Sequence, residues 1–380
     1  MHVLYLIDSL IAAGAETSLA SLAPELISRG VRLEVAYLRE RPGVAGDLRQ
    51  AGVPLFSLAD RSGRLSWARG VGQLVRQQRP DLVHTTLFEA DLAGRLAGMT
   101  SRLPLVTTLA NIAYGPEQLA GSDLRRWKVR ATQVADCITA RRVTRFHAIT
   151  QAVADTMGRR LRLPAERIEV VPRGRDDHRL GVRTADRRDR ARLGLGLGPD
   201  QAMVLAAARQ EHQKGLDVLI EAWPMVAARV AGARLVIAGR PGNQTPLLAA
   251  HTAELGLEHQ VRFLGARPDV HELLCGADVF VLPSRWEGLG SVLLEAMALE
   301  APMVASDLPS VREVVGGEAC ARLVPPGDPV TLAETLVAAL SDPAENLRRT
   351  AKARSRFLEH FTIDRVAEGM LGLYGRALEG

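Results

Sequence analysis

Four side chains in the second half of the sequence have types and spacing suited to chemistry. Two are carboxylates in PSRWEGLGSVLLEA, residues 283–296, where Glu287 precedes two glycines and Glu295 lies eight residues further on in an apolar run. Two are cations: Arg209 follows the apolar stretch AMVLAAA, and Lys214 comes five residues later, before a segment that opens as a helix near Leu216. A pair of cations at a strand-to-helix junction, beside a helix amino terminus, makes a site for a diphosphate. Lys214 stands out in composition, because 45 of the 48 basic residues are arginine. The turn Gly288-Leu289-Gly290-Ser291 completes the donor-binding set: its glycines let backbone approach a ligand, and its amides point at an anion. Ser291 is the expected cap of a helix running through Leu299. A carboxylate accepts two vicinal hydroxyls well, so Glu295 suits a ribose and Glu287 a transferred hexose, one on each side of the phosphates. The plainer alternative has Arg209 and Lys214 solvating a loop, Glu295 serving only its helix terminus and Glu287 in solvent.

These residues must be held by strands. Short aliphatic runs alternate with longer amphipathic segments, the pattern of parallel βαβ units, and they do so twice. Strands are expected at 3–7, 33–37, 82–84, 105–108, 145–149 and 168–171, and again at 202–207, 233–238, 261–264, 279–282 and 302–305. Between the two sets, RGRDDHRLGVRTADRRDRARLGLGLGPD loses its apolar periodicity, and the linker is placed near Arg175–Gly181. The fold class is therefore α/β, with two doubly wound Rossmann-like domains facing a central cleft. Residues 1–176 form the first domain and residues 177–360 the second, which carries the diphosphate and sugar candidates. Ligands of open α/β sheets bind at the carboxyl ends of the strands.

Size and charge agree with two domains. A chain of 380 residues, 47% hydrophobic, is long for one core. The amino terminus MHVLYLIDSLIAAGAE has no basic leader and carries Asp8 in its middle, so it reads as a first buried strand, not a signal peptide. No apolar run reaches the about 18 residues needed to cross a bilayer. Cys137, Cys275 and Cys320 match no metal or redox spacing, and a cytoplasmic protein with free thiols is expected. Residues 1–176 carry 25 Lys/Arg against 17 Asp/Glu. Much of the excess lies between Arg125 and Arg145, where Arg125, Arg126, Lys128, Arg130, Arg141, Arg142 and Arg145 surround Trp127 with Asp136 as the one acid. This segment is either a solvated helix face or a peripheral contact with an anionic membrane. Nucleic acid is not an expected partner.

The Arg209 and Lys214 pair, the stretch ADVFVLPSRWEGLGSVLLEAMA with its E-x7-E spacing, and AGAET after the first strand together resemble the retaining GT-B glycosyltransferases of family 4. The match is close from about Ala202 to Val315 and looser before. The resemblance implies a nucleotide-sugar donor, a uridine diphosphate sugar being expected, with the diphosphate on Arg209 and Lys214, the ribose on Glu295 and the sugar on Glu287. It also implies that Gly14 lies close to the donor and that the carboxyl-terminal helix, about 361–380, packs back on the first domain. Two departures stand out. Ala13 replaces the first of two family glycines, and in TTLANIAYG Ala110 occupies the place of a family histidine near the reacting carbon. His84, at the end of the preceding strand, and Asn111 are the candidates for the acceptor or sugar side. Front-face departure, in which the leaving phosphate takes the acceptor proton, requires no protein base.

No Asp-x-Asp occurs in the chain, so no bound metal is expected; fixed cations and a helix terminus take its place at the diphosphate. Neither a GxGxxG fingerprint nor a Walker loop is present, which disfavours dinucleotide redox chemistry and ATP hydrolysis. The sequence thus points to a metal-independent retaining transferase that moves a sugar to a glycan, lipid-linked or small-molecule acceptor, with Glu287, Arg209 and Lys214 as its catalytic set. Two alternatives stay open: a nucleotide-sugar-binding protein without transfer activity, and a nucleotide-sugar epimerase on the same fold.

Overall fold

The computed structural model describes residues 1–99, 103–115 and 126–379. The chain forms two compact units, Met1–Asp176 with Phe361–Gly380, and Asp177–His360. Among the described residues, the first unit has β1 (His2–Ser9), α1 (Gly14–Ser28), β2 (Arg32–Arg39), α2 (Ala45–Gln50), β3 (Leu55–Ser57), α3 (Arg64–Gln78), β4 (Leu82–Thr86), α4 (Phe88–Gly98), β5 (Leu105–Leu109), α5 (Arg126–Ala140), β6 (Arg145–Ala148), α6 (Gln151–Leu161) and β7 (Ile168–Val170). Its parallel sheet runs β3-β2-β1-β4-β5-β6-β7. The second unit has α7 (Asp177–Leu180), α8 (Ala185–Leu193), β8 (Met203–Ala207), α9 (Leu216–Arg229), β9 (Arg234–Ala238), α10 (Thr245–Glu254), β10 (Val261–Gly265), α11 (Val270–Gly276), β11 (Val279–Leu282), α12 (Ser291–Ala298), β12 (Met303–Ser306), α13 (Pro309–Val315), β13 (Arg322–Val324), α14 (Pro329–Ser341) and α15 (Pro343–His360). Its parallel sheet runs β10-β9-β8-β11-β12-β13. The chain ends in α16 (Ile363–Glu379), which belongs to the first unit.

Two strands lie outside the sequence expectation, β3 and β13. Each has three residues, sits at a sheet edge and is only partly buried, so neither carries the continuous apolar run that marks a strand covered on both faces. A second difference is α8, in the stretch that lacks apolar periodicity. Polar anchoring accounts for it. Thr184 caps it by accepting from the Arg187 amide, and Arg192, 2% exposed, donates to the Gly276, Gly198 and Pro199 carbonyls and to Asp278.

The first unit is discontinuous in sequence, and its closure is polar as well as apolar. Arg175 N donates to Phe361 O at 2.9 Å, and Ile363 N donates back to Arg175 O at 3.0 Å, so the chain is stitched together where it leaves the unit and where it returns. From there α16 lays Val366, Met370, Leu373 and Tyr374 into the core of β1, β2 and α1, each large apolar side chain contributing about 1.5–3 kcal/mol by burial.

Under α16 runs a chain of hydrogen bonds across the sheet. His147 Nε2 lies 2.7 Å from Val171 O, and a carbonyl only accepts, so this nitrogen carries the proton. Nδ1 of His147 then accepts from Thr108 Oγ1 at 3.0 Å, Thr108 accepts from His84 Nε2 at 2.7 Å, and His84 Nδ1 accepts from Tyr374 Oη at 2.7 Å. Both rings are neutral. Burial holds His84 well below its ordinary pKa, and burial lowers His147 to about 4 even though its bond to Val171 opposes the shift.

Two outcomes follow from this relay. Tyr374→Phe keeps the ring but leaves a buried His84 nitrogen without a donor, so urea unfolding is expected to show a loss of about 1–3 kcal/mol. In the unfolded chain both histidines take up protons near pH 6.5, whereas His147 in the native state does so only at about 4. The unfolded state binds more protons in that window, so the contribution of these rings to stability falls as the pH is lowered through it. NMR of the two rings is expected to show flat resonances down to about pH 5; titration near 6.5 would refute the neutral relay.

Candidate active site

The second sheet is wholly parallel, so the loops after β8, β9, β10 and β11 all lie at its carboxyl edge. Two of them build the candidate site. The loop after β8 carries Arg209 and a turn of 3-10 helix, His212–Lys214, and passes through Gly215 into α9. The loop after β11 runs from Pro283 to Gly290 and enters α12. Gly215 is left-handed, with φ 61°, and a Cβ there would stand 2.1 Å from Pro283 O. Only glycine allows the two loops to approach so closely. Arg285 N donates to Gln213 O at 2.8 Å, Gln213 Nε2 donates to Trp286 O at 2.9 Å, and Arg285 grips Asp217 through two bonds of 2.6 and 2.7 Å. Burial raises the Asp217 pKa, but the Arg285 pair outweighs it and holds the carboxyl below its ordinary value.

At the centre of this lock, Lys214 Nζ lies 2.5 Å from Glu287 Oε1. Glu287 is 5% exposed. The same oxygen accepts from Ser284 Oγ at 2.7 Å, and Ser310 Oγ donates to the Glu287 carbonyl at 2.7 Å. Glu287 is therefore not the solvated side chain of the plainer alternative: a buried carboxylate needs partners, and it has a cation and a hydroxyl. An ammonium has three donors, of which Glu287 takes one.

Ser291 is the first residue of α12, and Gly290, left-handed at φ 77°, occupies the cap position instead. This corrects the expected cap: the left-handed turn delivers backbone into the helix, so Ser291 already has helical geometry. The helix ends at Ala298, with Leu299 as its C-cap. Gly288, Leu289 and Gly290 are buried, and Glu295 is half-buried one turn into the helix. Arg209 is exposed at the end of β8.

In the first unit, Gly14 is the exposed first residue of α1, with Ala13 as its N-cap. Asn111 is exposed after β5, and its Oδ1 accepts from the Ile112 amide at 2.9 Å. Ala110 lies directly after β5. His84 must be corrected. It is 1% exposed, and both ring nitrogens are consumed by Tyr374 and Thr108, so it is a core histidine of the relay and not a substrate ligand.

Sequence reasoning missed Ser284, Ser310 and the Arg285–Asp217 pair. Ser284 stood inside the stretch that drew notice, but a serine among loop residues carries no signal until its carboxylate partner is placed. Ser310 lies 23 residues from Glu287, and only the fold brings it there.

The family described as Glycosyltransferase Family 4 matches residues 12–179, and the family described as Glycosyl transferases group 1 matches residues 187–356. The D-inositol 3-phosphate glycosyltransferase of Jonesia denitrificans is 30% identical over 308 residues, covering 78% of this chain and 72% of the relative. The chain belongs to the family 4 glycosyltransferases. Another glycosyltransferase of similar sequence is the 2-deoxystreptamine N-acetyl-D-glucosaminyltransferase of Streptomyces fradiae, 27% identical over 400 residues, 97% of this chain and 92% of that one. In fold, this glycosyltransferase is similar to Anabaena Alr3699/HepE, solved with UDP and glucose, at a TM-score of 0.86, 22% identity and 99% coverage of both chains. The sucrose-phosphate synthase of Thermosynechococcus elongatus superimposes with a TM-score of 0.82 at 18% identity, covering all of both chains. The architecture is the GT-B fold.

Because the half-buried Lys214 and the buried Glu287 are paired in this glycosyltransferase, breaking the pair from either side strands a charge. Lys214→Ala and Glu287→Ala are each expected to lower the unfolding free energy by about 1–3 kcal/mol. The double variant should lose clearly less than the sum. Additive losses in denaturant titrations would show that the pair is not coupled.

Proposed function

We propose that the protein is a retaining, metal-independent glycosyltransferase that transfers a hexose from a uridine diphosphate sugar to a hydroxyl of a glycan, a lipid-linked acceptor or a small molecule. The observation that carries this reading is the Lys214–Glu287 pair, held at 2.5 Å beside the amino terminus of α12. A cation and a hydroxyl-accepting carboxylate stand together where one group must neutralise phosphate and the other must orient a sugar. Arg209 and Lys214 take the diphosphate, the backbone of Gly288, Leu289, Gly290 and Ser291 adds amides at the helix start, Glu295 takes the ribose and Glu287 the hexose. Gly14, first in α1, is assigned to the donor on the resemblance alone. The similar HepE structures, solved with UDP, with UDP-glucose and with UDP and glucose, support uridine diphosphate as the nucleotide. The free cysteines, two of them buried, suit a cytoplasmic enzyme.

In this mechanism the cations stabilise the charge that develops on the leaving diphosphate. Retention follows from front-face departure: the acceptor hydroxyl attacks the anomeric carbon from the side of the leaving group, and its proton passes to the departing phosphate oxygen. No protein base is required. Asn111 is assigned to the acceptor or sugar side, as a hydrogen-bonding residue without acid–base chemistry.

A second reading rests on Ala110. The family histidine position has no side chain beyond Cβ, and His84 cannot replace it because both its nitrogens are engaged in the core. The protein would then bind a nucleotide-sugar without transferring it. Incubation with UDP-glucose separates the readings: release of UDP, alone or with an acceptor pool, belongs to the enzyme and not to the binding protein.

The donor orientation predicts distinct variants. By calorimetry with UDP, Arg209→Ala and Lys214→Ala are each expected to lose about 1.5–3 kcal/mol of affinity, since each removes a charge-assisted bond to phosphate. Glu295→Ala should weaken UDP as well, whereas Glu287→Ala should leave UDP affinity undiminished and abolish turnover. Equal losses of UDP affinity in both glutamate variants would reverse the donor orientation.

Activity is also expected to persist in excess chelator, because the charge on the diphosphate is met by fixed cations. Loss of turnover in chelator, restored by magnesium, would remove the metal-independent mechanism.

A further inference from the structure

The amphipathic pattern of α5 is inverted. Its inward face carries the polar anchors: Asp136 pairs with Arg95 and accepts from Tyr114 Oη at 2.7 Å, and Gln133 Nε2 donates to Arg160 O at 2.9 Å. Three of its larger apolar side chains point outward, while the small Ala140 is buried. Trp127, Val134 and Ile138 are 62%, 57% and 60% exposed, and at 3.6 residues per turn they fall within about 40° of one another. Ala131, also exposed, lies on the same stripe. Apolar residues on a helix of a globular unit ordinarily face its core; here the buried positions are Asp136 and Ala140, and among the described residues the stripe stays exposed.

Cations flank the stripe. Arg126, Lys128, Arg130 and Arg141 are exposed, while the single acid of the helix, Asp136, is buried. The basic segment is thus narrower than the sequence suggested. Arg142 donates to Gly98 O at 2.8 Å and Arg145 to Glu166 O at 2.8 Å, so both hold local carbonyls, and Arg125 lies outside the described residues. The Arg142 bond sets the end of α4 beside α5, where Met99, 70% exposed, adds another apolar side chain.

We propose that α5 is a docking surface for an anionic phospholipid bilayer, with the helix lying flat in the interface, the Trp127, Val134 and Ile138 stripe inserted below the headgroups and the flanking cations on lipid phosphates. The chemistry favours lipid over other occupants. An apolar centre edged by cations, with a tryptophan where apolar and polar zones meet, matches the layering of a bilayer surface. A second copy placed on the same face would bring Arg126, Arg130 and Arg141 against their own kind, which opposes association. No helix among the described residues is long and apolar enough to cross a membrane, so the contact is peripheral. It stands on the first unit alone and does not depend on the donor reading.

The test is co-sedimentation of the full chain with vesicles of phosphatidylcholine, alone or mixed with phosphatidylglycerol. Binding is expected to rise with the phosphatidylglycerol fraction and to fall in high salt. Each of Arg126, Lys128, Arg130 and Arg141 changed to Gln should lower the partition coefficient by about fivefold. The combined Trp127→Ser, Val134→Ser and Ile138→Ser variant should fail to insert even where charge still attracts it, seen as loss of a fluorescence blue shift that Trp127→Phe alone also removes. Because these side chains point away from the core, circular dichroism and UDP affinity should match the parent, which separates a failed docking surface from a misfolded chain. Binding independent of anionic lipid, or unaffected by both sets of substitutions, would overturn the proposal. So would self-association in sedimentation velocity that the triple serine variant abolishes, since the stripe would then be an interface between copies.

Discussion

The first unit is made of two pieces of chain separated by 184 residues of another unit, so its integrity depends on how the second piece is fastened. The fastening is the relay from Tyr374 through His84, Thr108 and His147 to Val171 O, laid beneath an apolar helix face. A purely apolar interface would tolerate sliding of α16 along the sheet. A buried chain of directional bonds does not, because every displacement leaves polar groups without partners where water cannot reach them. The order of donors is forced from one end: a carbonyl accepts only, and each proton position follows from the one before. Carbonyl, two neutral imidazoles and two hydroxyls thereby hold α16, β4, β5, β6 and the segment after β7 in one register, and the reciprocal bonds between Arg175 and the residues around Thr362 fix where the chain re-enters.

The second unit solves a related problem with charge. A buried carboxylate is costly alone, and Glu287 is maintained by Lys214 and Ser284, which come from two different loops. Those loops approach closely because residue 215 is glycine, and they are locked by the Arg285–Asp217 pair beneath them. The ion pair is therefore a structural tie and, in the proposed function, a poised site. The cation that would meet phosphate and the carboxylate that would orient sugar hold each other in place before either has a ligand. Preorganisation of this kind removes the entropic cost of gathering the groups when the donor arrives.

Against these inward-looking solutions α5 is the exception. Elsewhere in the first unit α16 turns an apolar face to the sheet with Val366, Met370, Leu373 and Tyr374. In α5 the buried positions are Asp136, which pairs with Arg95, and Ala140, while the half-buried Gln133 donates to the Arg160 carbonyl. With polar groups bonded on the inward side, Trp127, Val134 and Ile138 lie at the surface.

The strand pattern and the order of elements were legible in the sequence, because strands covered on both faces carry near-continuous apolar runs: β8 and β11 are apolar throughout, and β1, β2 and β9 are mostly so. The positions of Arg209, Lys214 and Glu287 at strand-to-helix junctions, and of Glu295 inside the helix that follows, were legible as well. What could not be read was anything decided by contact between distant segments. The edge strands β3 and β13 form only because a neighbour offers them a ladder. Ser291 yields the cap position to Gly290 because the loop arrives left-handed. His84 looked like a strand-end candidate for substrate until Tyr374, 290 residues away, occupied its nitrogen. A run of basic residues around Trp127 was visible, but whether its apolar members faced in or out depended on Arg95 and Arg160 reaching the other side of the helix. Periodicity is a local property that sequence determines through burial of each element's own face; the pairing of polar groups across the fold is set only when tertiary structure brings their partners together.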